Sequence, residues 1–204
     1  MSMKKTDYVA TFTNPMLGTK AADPEVHSKF IAQKEREQAS EDELSNAERT
    51  ALELEDRKTG ISVFHRNAKG QPIIYNYQIK GAIKALIKAA RRNPESKSAK
   101  LKNSVGAVNE NVFVEPREIV LELPEGAEVE HLERPLRAQT MQGERMSLKC
   151  SESVPAGTKM HFSVKTDLPG FDAILDEIWE RAPHFFMGEW RNSGWGTAIV
   201  EKVG

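Results

Sequence analysis

The chain has few of the features that mark secreted, membrane or disulfide-bonded proteins. Its 204 residues include a single cysteine, Cys150, which excludes an internal disulfide framework and a zinc site built from several cysteines. No apolar run approaches the ~18–20 residues that a membrane-spanning helix needs. The opening stretch MSMKKTDYVATFTNP also lacks the apolar segment of a secretory signal peptide. We therefore expect a protein of the reducing cytoplasm with no membrane partner.

Sequence motifs for catalysis or metal binding are equally scarce. The chain contains no HxxxH, no CxxC and no GxxxxGK[ST] phosphate loop. Its histidines are scattered, and no two have a local spacing that favours cooperation: His27, His65, His131, His161 and His184. We predict no catalytic residue, no metal site and no cofactor, and we favour a protein that is not an enzyme. A metal-independent endoribonuclease with a histidine acid or base is kept as an alternative.

Charge is nearly balanced overall but unevenly distributed. The formal net charge is −1, with 29 Lys and Arg against 30 Asp and Glu. Between Lys80 and Lys102 the only acid is Glu95, whereas acids outnumber bases between Glu25 and Lys58. A local basic stretch indicates either an anionic partner or a solvated helix face.

Hydrophobic periodicity predicts an α+β fold. Alternating residues predict strands in DYVATFT, ISVFHR, NVFVEP, EIVLEL, RMSLKCSE, TKMHFSVKT and TAIVEKV. Apolar residues at helical spacing predict helices over 79–92 and 171–181, and PIIYNYQIK is read as a strand or an extended lead-in. The order favours a ferredoxin-like antiparallel sheet with helices on one face. We expect a helical insertion at 20–58 and a mobile basic loop at 93–110.

Three stretches, in order, resemble the CRISPR-associated RAMP superfamily. YQIKGAIKALIKAARR is similar to the family's lysine–glycine entry into its first helix, and VPAGTKMHFSV resembles the strand that follows a Gly-Thr turn. MGEWRNSGWGTAIVEKV is similar to its terminal glycine-rich loop, and TFTNPMLGTK resembles its first strand and turn. The resemblance implies one RRM-like, ferredoxin-type domain over residues 1–204. In that superfamily, some members bind guide RNA as backbone subunits and others cleave RNA.

A second resemblance concerns the setting of the protein. The chain is similar to small uncharacterised proteins of bacterial phages and prophages, most recognisably in ERPLRAQTMQGERMSL. This resemblance carries no activity, but it implies the cytoplasm of a bacterial host cell as the location.

The candidate RNA-binding residues fall in three segments. The helix predicted over 79–92 has a column of cations along one side. The ERPLRAQTMQGER stretch has arginines in a predicted polar loop. The glycine-rich loop has backbone N–H groups, Arg191 and two tryptophans able to stack on bases. The predicted set is Lys80, Gly81, Lys84, Lys88, Arg91, Arg92, Arg134, Arg137, Arg145, Gly188, Trp190, Arg191, Gly194 and Gly196. In each segment the alternative is structural: a solvated helix face, salt bridges to nearby glutamates, or tryptophans and glycines that shape a turn.

Two hypotheses of function follow from these residues. The first is a non-catalytic, phage-associated protein that binds single-stranded RNA. The alternative is an anti-CRISPR or other anti-defence protein that acts by contact with a host immune complex. This alternative is motivated by the resemblance to phage proteins, by the lone domain and by the acidic stretch between Glu25 and Lys58, which would either mimic nucleic-acid charge or dock on a basic groove. The sequence leaves the oligomeric state open.

Overall fold

The computed structural model describes residues 3–22, 61–140 and 143–203, with the backbone alone from 136 to 147. Nearly all of the predicted helical insertion at 20–58 therefore lies outside the described residues. The chain divides into two compact units, one made of 1–17, 65–129 and 154–204 and the other of 18–64 and 130–153. The prediction of a single domain over 1–204 stays a prediction.

The described residues form strands and helices in a mixed order along the chain. The strands are β1 (Lys4–Phe12), β2 (Met16–Leu17), β3 (Lys20–Ala21), β4 (Ile61–Val63), β5 (His65–Arg66), β6 (Pro72–Tyr75), β7 (Val112–Glu115), β8 (Glu118–Val120), β9 (Glu130–Thr140), β10 (Gly143–Val154), β11 (Lys159–Thr166) and β12 (Ala198–Val203); the helices are α1 (Asn76–Ala90), α2 (Ser104–Asn111) and α3 (Phe171–Trp179). The predicted α+β class is confirmed. Among the described residues, no helix has the length and apolarity needed to cross a membrane.

The first unit is built on a four-stranded sheet. Its strand order is β12-β1-β11-β7, and each neighbouring pair is antiparallel. Helix α1 lies in the chain between β1 and β7, and α3 lies between β11 and β12. Both helices pack in this unit, and α1 contacts β7 and α3.

Aromatic rings form the centre of the first unit's core. The ring of Tyr8 on β1 stacks on that of Phe162 on β11, with centroids 5.7 Å apart. Trp179 at the end of α3 meets both rings edge-on, at 5.7 Å from Tyr8 and 6.1 Å from Phe162. All three side chains are buried. Burying an aromatic side chain of this kind stabilises a fold by roughly 1.5–3 kcal/mol, so this cluster anchors α3 to the sheet.

Helix α1 begins three residues earlier than its apolar spacing predicts. The helix starts at Asn76, where the Tyr75 backbone N–H donates to Gln78 Oε1 at 2.8 Å and caps the first turn. Its apolar face is buried as predicted: Ile79, Ala82, Ile83, Leu86, Ile87 and Ala90. The PIIYNYQIK segment is therefore divided between strand β6 and the start of α1. Strand β6 lies between β5 and β8 in a small antiparallel sheet.

The stretch 93–110, predicted as a mobile basic loop, contains helical structure. A 3-10 turn spans Lys97–Lys100, and α2 begins at Ser104. The Glu177 carboxylate on α3 accepts hydrogen bonds from the Ser96 hydroxyl and from the Lys97 backbone N–H, the latter at 2.7 Å. Such short helical segments depend on tertiary contacts, which a local sequence pattern does not display. The mobility of this stretch stays a prediction.

The second unit contains a β-hairpin that corrects the predicted polar loop. Strands β9 and β10 pair antiparallel from Glu130↔Ser153 to Thr140↔Gly143, so the described residues of RAQTMQGER, 137–140 and 143–145, lie in paired strands. Strand β10 also pairs parallel with β4, which pairs antiparallel with β3. The polar composition of β9 and its Pro135 are not typical of a strand, so local sequence preference does not predict it. The hydrogen bonds to β10 stabilise the strand more than these weak local preferences disfavour it.

Candidate nucleic-acid interface

The glycine-rich loop has an unusual backbone. Gly188, Gly194 and Gly196 have φ values of 90°, 85° and 63°, in the left-handed region. Trp190 shares this region, with φ of 55°, although it carries a side chain. A 3-10 turn over Arg191–Ser193 connects these positions. Non-glycine residues held in this region cost about 1–3 kcal/mol each, so the surrounding loop must impose the conformation of Trp190.

Two of the glycines are required by close packing. A β-carbon on Gly196 would lie 1.9 Å from the Met187 carbonyl oxygen, and one on Gly188 would lie 2.8 Å from Met16 Cγ. The Gly196 N–H donates to the Pro15 carbonyl at 2.9 Å. The Gly196 N–H is therefore used within the protein, where its hydrogen bond to Pro15 joins the glycine-rich loop to the turn after β1. Gly194 differs, because a β-carbon there would meet nothing within 4 Å.

Arg191 lies on an aromatic ring. Its guanidinium carbon is 4.7 Å from the centroid of Phe185. The side chain is half-buried, and this burial lowers the pKa of Arg191 below its ordinary value. The neighbouring Trp190 is 38% exposed, whereas Trp195 is half-buried. The loop thus presents a partly desolvated cation beside an exposed indole, a combination suited to a phosphate and an unpaired base.

The cations of α1 differ in how they are held. Lys80 Nζ donates to the Asn109 carbonyl at 2.9 Å and lies 5.3 Å from the centroid of the Phe113 ring. Lys84 Nζ donates to Asn109 Oδ1 at 3.2 Å. Burial lowers the pKa of Lys80 and the charge of Lys84 lowers it further. Both ammonium groups are therefore positioned by α2, the short helix that the sequence prediction missed.

The later part of the basic segment is more exposed. Lys88, Arg91 and Arg92 are exposed, and Arg91 Nη1 donates to Ser104 Oγ at 2.7 Å. A β-carbon at Gly81 would meet nothing within 4 Å, so no close approach requires glycine at this point of α1.

The third predicted group lies in the hairpin of the second unit. Arg134 is buried, with 5% of its surface exposed, and its backbone pairs with that of Lys149. Arg137 and Arg145 lie in β9 and β10, and their side chains are outside the described structure. Their role in RNA binding stays a prediction.

The two central strands of the first unit's sheet, β1 and β11, lack the aromatic residues on which an RRM stacks bases. RRM domains stack bases on aromatic residues of the open sheet face. Since side chains alternate along a strand, residues next to the buried Tyr8 and Phe162 point to the other face. On β1 these are Asp7, Val9 and Thr11, and on β11 they are His161, Ser163 and Lys165. Neither strand offers a Phe, Tyr or Trp on that face.

An aromatic cluster that the sequence prediction missed lies at the start of α1. The rings of Tyr75 and Tyr77 stack with centroids 5.7 Å apart and an interplanar angle of 19°. His65 meets Tyr75 edge-on at 4.7 Å. Tyr77 is 56% exposed. The sequence signal was the YNY triplet directly before the helix; the contribution of His65 depends on the pairing of β5 with β6.

The described residues offer little for acid–base or metal chemistry. His161 Nε2 lies 3.5 Å from Glu122 Oε2, and both side chains are more than half exposed. Within the described ranges, no group of His, Cys, Asp and Glu residues is arranged to hold a metal ion. The predictions of no catalytic residue and no cofactor stay predictions.

The comparisons with known proteins concern the fold. No protein-family model and no curated protein matches the chain. It is similar to a chain in the cryo-EM structure of the Type III-B Cmr-beta bound to cognate target RNA, with a TM-score of 0.52 and 11% identity over 98% of this chain and 60% of that chain. A Type IV-B CRISPR complex chain aligns over 98% of this chain and 91% of its own, with 12% identity and a TM-score of 0.46, too low to establish a common fold. The chain thus spans 60% of the length of the first neighbour, with which it shares a fold.

Proposed function

We propose that this chain is a non-catalytic protein that binds single-stranded RNA through a RAMP-like domain. The observation that carries the proposal is the cationic side of α1. This helix has no acidic residue over its whole length, and Lys80, Lys84 and Lys88 recur four residues apart. Residues at this spacing lie on one side of a helix, where they present a row of charges that matches a phosphate backbone.

The topology of the first unit supports a ferredoxin-like domain. Numbered by their order in the chain, the four strands β1, β7, β11 and β12 have the spatial order 4-1-3-2. A helix follows the first strand and another follows the third, as in a split βαβ repeat. The likeness to a chain of the Type III-B Cmr-beta structure, which was solved with target RNA, agrees with an RNA-binding role in a CRISPR-related assembly.

Arg191 supplies a second contact in this proposal. Its planar guanidinium is already ordered on Phe185, so less conformational entropy is lost when it binds a phosphate. Trp190 lies beside it with an exposed indole. The loop and the helix have separate supports in the fold: the loop packs against Pro15 and Met16, whereas the α1 lysines contact α2.

The test is RNA binding measured by fluorescence anisotropy over a range of salt concentrations. The wild-type protein should bind oligouridine with an affinity that falls steeply as salt rises. The variant Lys84→Glu/Lys88→Glu/Arg191→Ala should bind weakly and with a shallower salt dependence. Lys69→Glu/Lys159→Glu is the control, because both lysines are exposed and lie outside α1 and the glycine-rich loop.

Two results would reject the proposal. One is wild-type protein that shows no RNA binding at low salt. The other is an α1 and loop variant that binds as well as the control. If the protein, freed of RNA, captured a host defence complex, the anti-defence alternative would be favoured. If the protein cleaved RNA and a single His→Ala variant did not, the endoribonuclease would be favoured.

A further inference from the structure

The strongest unassigned feature is the aromatic cluster of His65, Tyr75 and Tyr77, called here the tyrosine platform. Its rings come from strand β5, strand β6 and the first turn of α1. The Tyr75 ring contacts both of the others, His65 in a T-shaped pair and Tyr77 in a stacked pair. Tyr77 is the outermost ring, and more than half of its surface is exposed.

Tyr77 combines solvent exposure with a fixed ring contact. Tyr77 keeps 56% of its surface in contact with solvent, although its ring stacks on that of Tyr75. The ring is nevertheless ordered, because Tyr75 fixes its plane and the capped start of α1 fixes its backbone. A flat, ordered and exposed ring is the surface on which an unpaired base stacks.

The charges next to the ring favour nucleic acid over an apolar partner. Tyr77 lies three residues before Lys80 and seven before Lys84, so all three occupy one side of α1. Lys80 is held in place by the Asn109 carbonyl and the Phe113 ring. Glu118, which pairs with Tyr75 across β6 and β8, is directly preceded in the chain by the cation Arg117. An RNA strand whose phosphates lie along Lys80 and Lys84 would bring one of its bases to Tyr77.

We propose that the tyrosine platform is a base-stacking site, in which Tyr77 stacks on one unpaired base of a single-stranded RNA whose backbone follows Lys80 and Lys84. This inference rests on the proposed function, since it places a base of the same bound strand. It adds a contact that is insensitive to salt next to the lysines of α1. The platform also substitutes for the aromatic face that β1 and β11 lack.

The test compares Tyr77→Ala with Tyr77→Phe in the full chain. Tyr77→Ala should weaken oligouridine binding by about 5- to 150-fold, the range expected for one base stacked on an aromatic ring. Tyr77→Phe keeps the ring and should bind within about twofold of wild type. Because stacking releases no counterions, the slope of affinity against salt should be unchanged in Tyr77→Ala. Far-UV circular dichroism checks that both variants keep the fold.

An abasic oligomer of the same length gives the second readout. It has phosphates but no bases, so wild type and Tyr77→Ala should bind it equally. The platform is rejected if Tyr77→Ala binds oligouridine as tightly as Tyr77→Phe, or if it weakens binding to the abasic oligomer as much. If wild type binds neither oligomer, RNA binding itself is overturned, and the platform with it. These outcomes separate a wrong stacking site from a wrong function.

Discussion

Gly196 and Met187 lie so close that no side chain fits between them. A β-carbon at residue 196 would be 1.9 Å from the Met187 carbonyl oxygen, and the Met187 N–H donates to the Gly196 carbonyl at 3.2 Å. The two ends of the glycine-rich loop are therefore joined through their backbones. Between these joined ends, Trp190 and residues 192–194 are exposed, and Arg191 is half-buried.

Replacing Gly196 should destabilise the protein strongly. Gly196→Ala combines a clash with backbone and a left-handed φ, so the free energy of unfolding should fall by at least about 2 kcal/mol. Gly194→Ala is the matched control, because it shares the left-handed φ but has open space around it, and it should cost about 1 kcal/mol. Urea denaturation measures both. Equal losses in the two variants would contradict the packing role of Gly196.

Arg191 should contribute to the salt dependence of RNA binding. Loss of one phosphate contact in Arg191→Ala should reduce the slope of log affinity against log salt by about 1. Arg191→Lys keeps the charge but loses the planar group that stacks on Phe185, so it should retain the slope and bind with intermediate affinity. Anisotropy titrations at several salt concentrations check this. An unchanged slope in Arg191→Ala would remove this residue from the interface.

Tyr8 should make stability fall at alkaline pH. Burial raises the pKa of Tyr8 from 10.0 to about 12, so above pH 10 the unfolded chain releases the phenol proton before the folded protein does. The free energy of unfolding should then decrease between pH 10 and 12 by up to about 1.4 kcal/mol per pH unit.

The variant Tyr8→Phe isolates this contribution. It keeps the ring that packs on Phe162 and Trp179 but has no proton to release, so its stability should decline less over the same pH range. Urea denaturation at a series of pH values, with tyrosinate absorbance followed in parallel, makes the comparison. Parallel pH profiles for the two proteins would show that Tyr8 does not titrate differently on unfolding.

The Glu152 side chain should contribute to the stability of the second unit. Its carboxylate Oε2 accepts a hydrogen bond from the Phe64 backbone N–H at 2.7 Å, and the side chain is 9% exposed. Glu152→Ala leaves that buried donor without its acceptor and should cost about 1–3 kcal/mol of unfolding free energy. Glu152→Gln retains a carbonyl oxygen and should cost less. Denaturation of the two variants gives the measurement, and an alanine variant as stable as wild type would contradict it.

Local periodicity was sufficient for the helix and strands that carry one buried face. The spacing of Ile79, Ile83 and Leu86 predicts α1, and alternation predicts β1 and β11, because in each case the pattern follows from which side chains the core must bury. The class of the fold followed from the order of these elements.

The hairpin of β9 and β10 could not be found in this way. Arg134 is buried there although its type and its polar neighbours indicate a solvated loop. Its strand exists because a distant segment supplies the backbone partners. The same reason explains why α2 was missed, although it holds the two lysines through Asn109.

The sequence by itself determined the α+β class, the amphipathic core of α1 and the row of cations along it, because these depend on residues a few positions apart. Only the tertiary structure decided that Gly196 is a packing residue, that Arg191 rests on Phe185 and that His65 joins Tyr75 and Tyr77. Those relationships join residues across turns and strand pairs. Their contacts are set by the path of the backbone in space, which a local pattern does not encode.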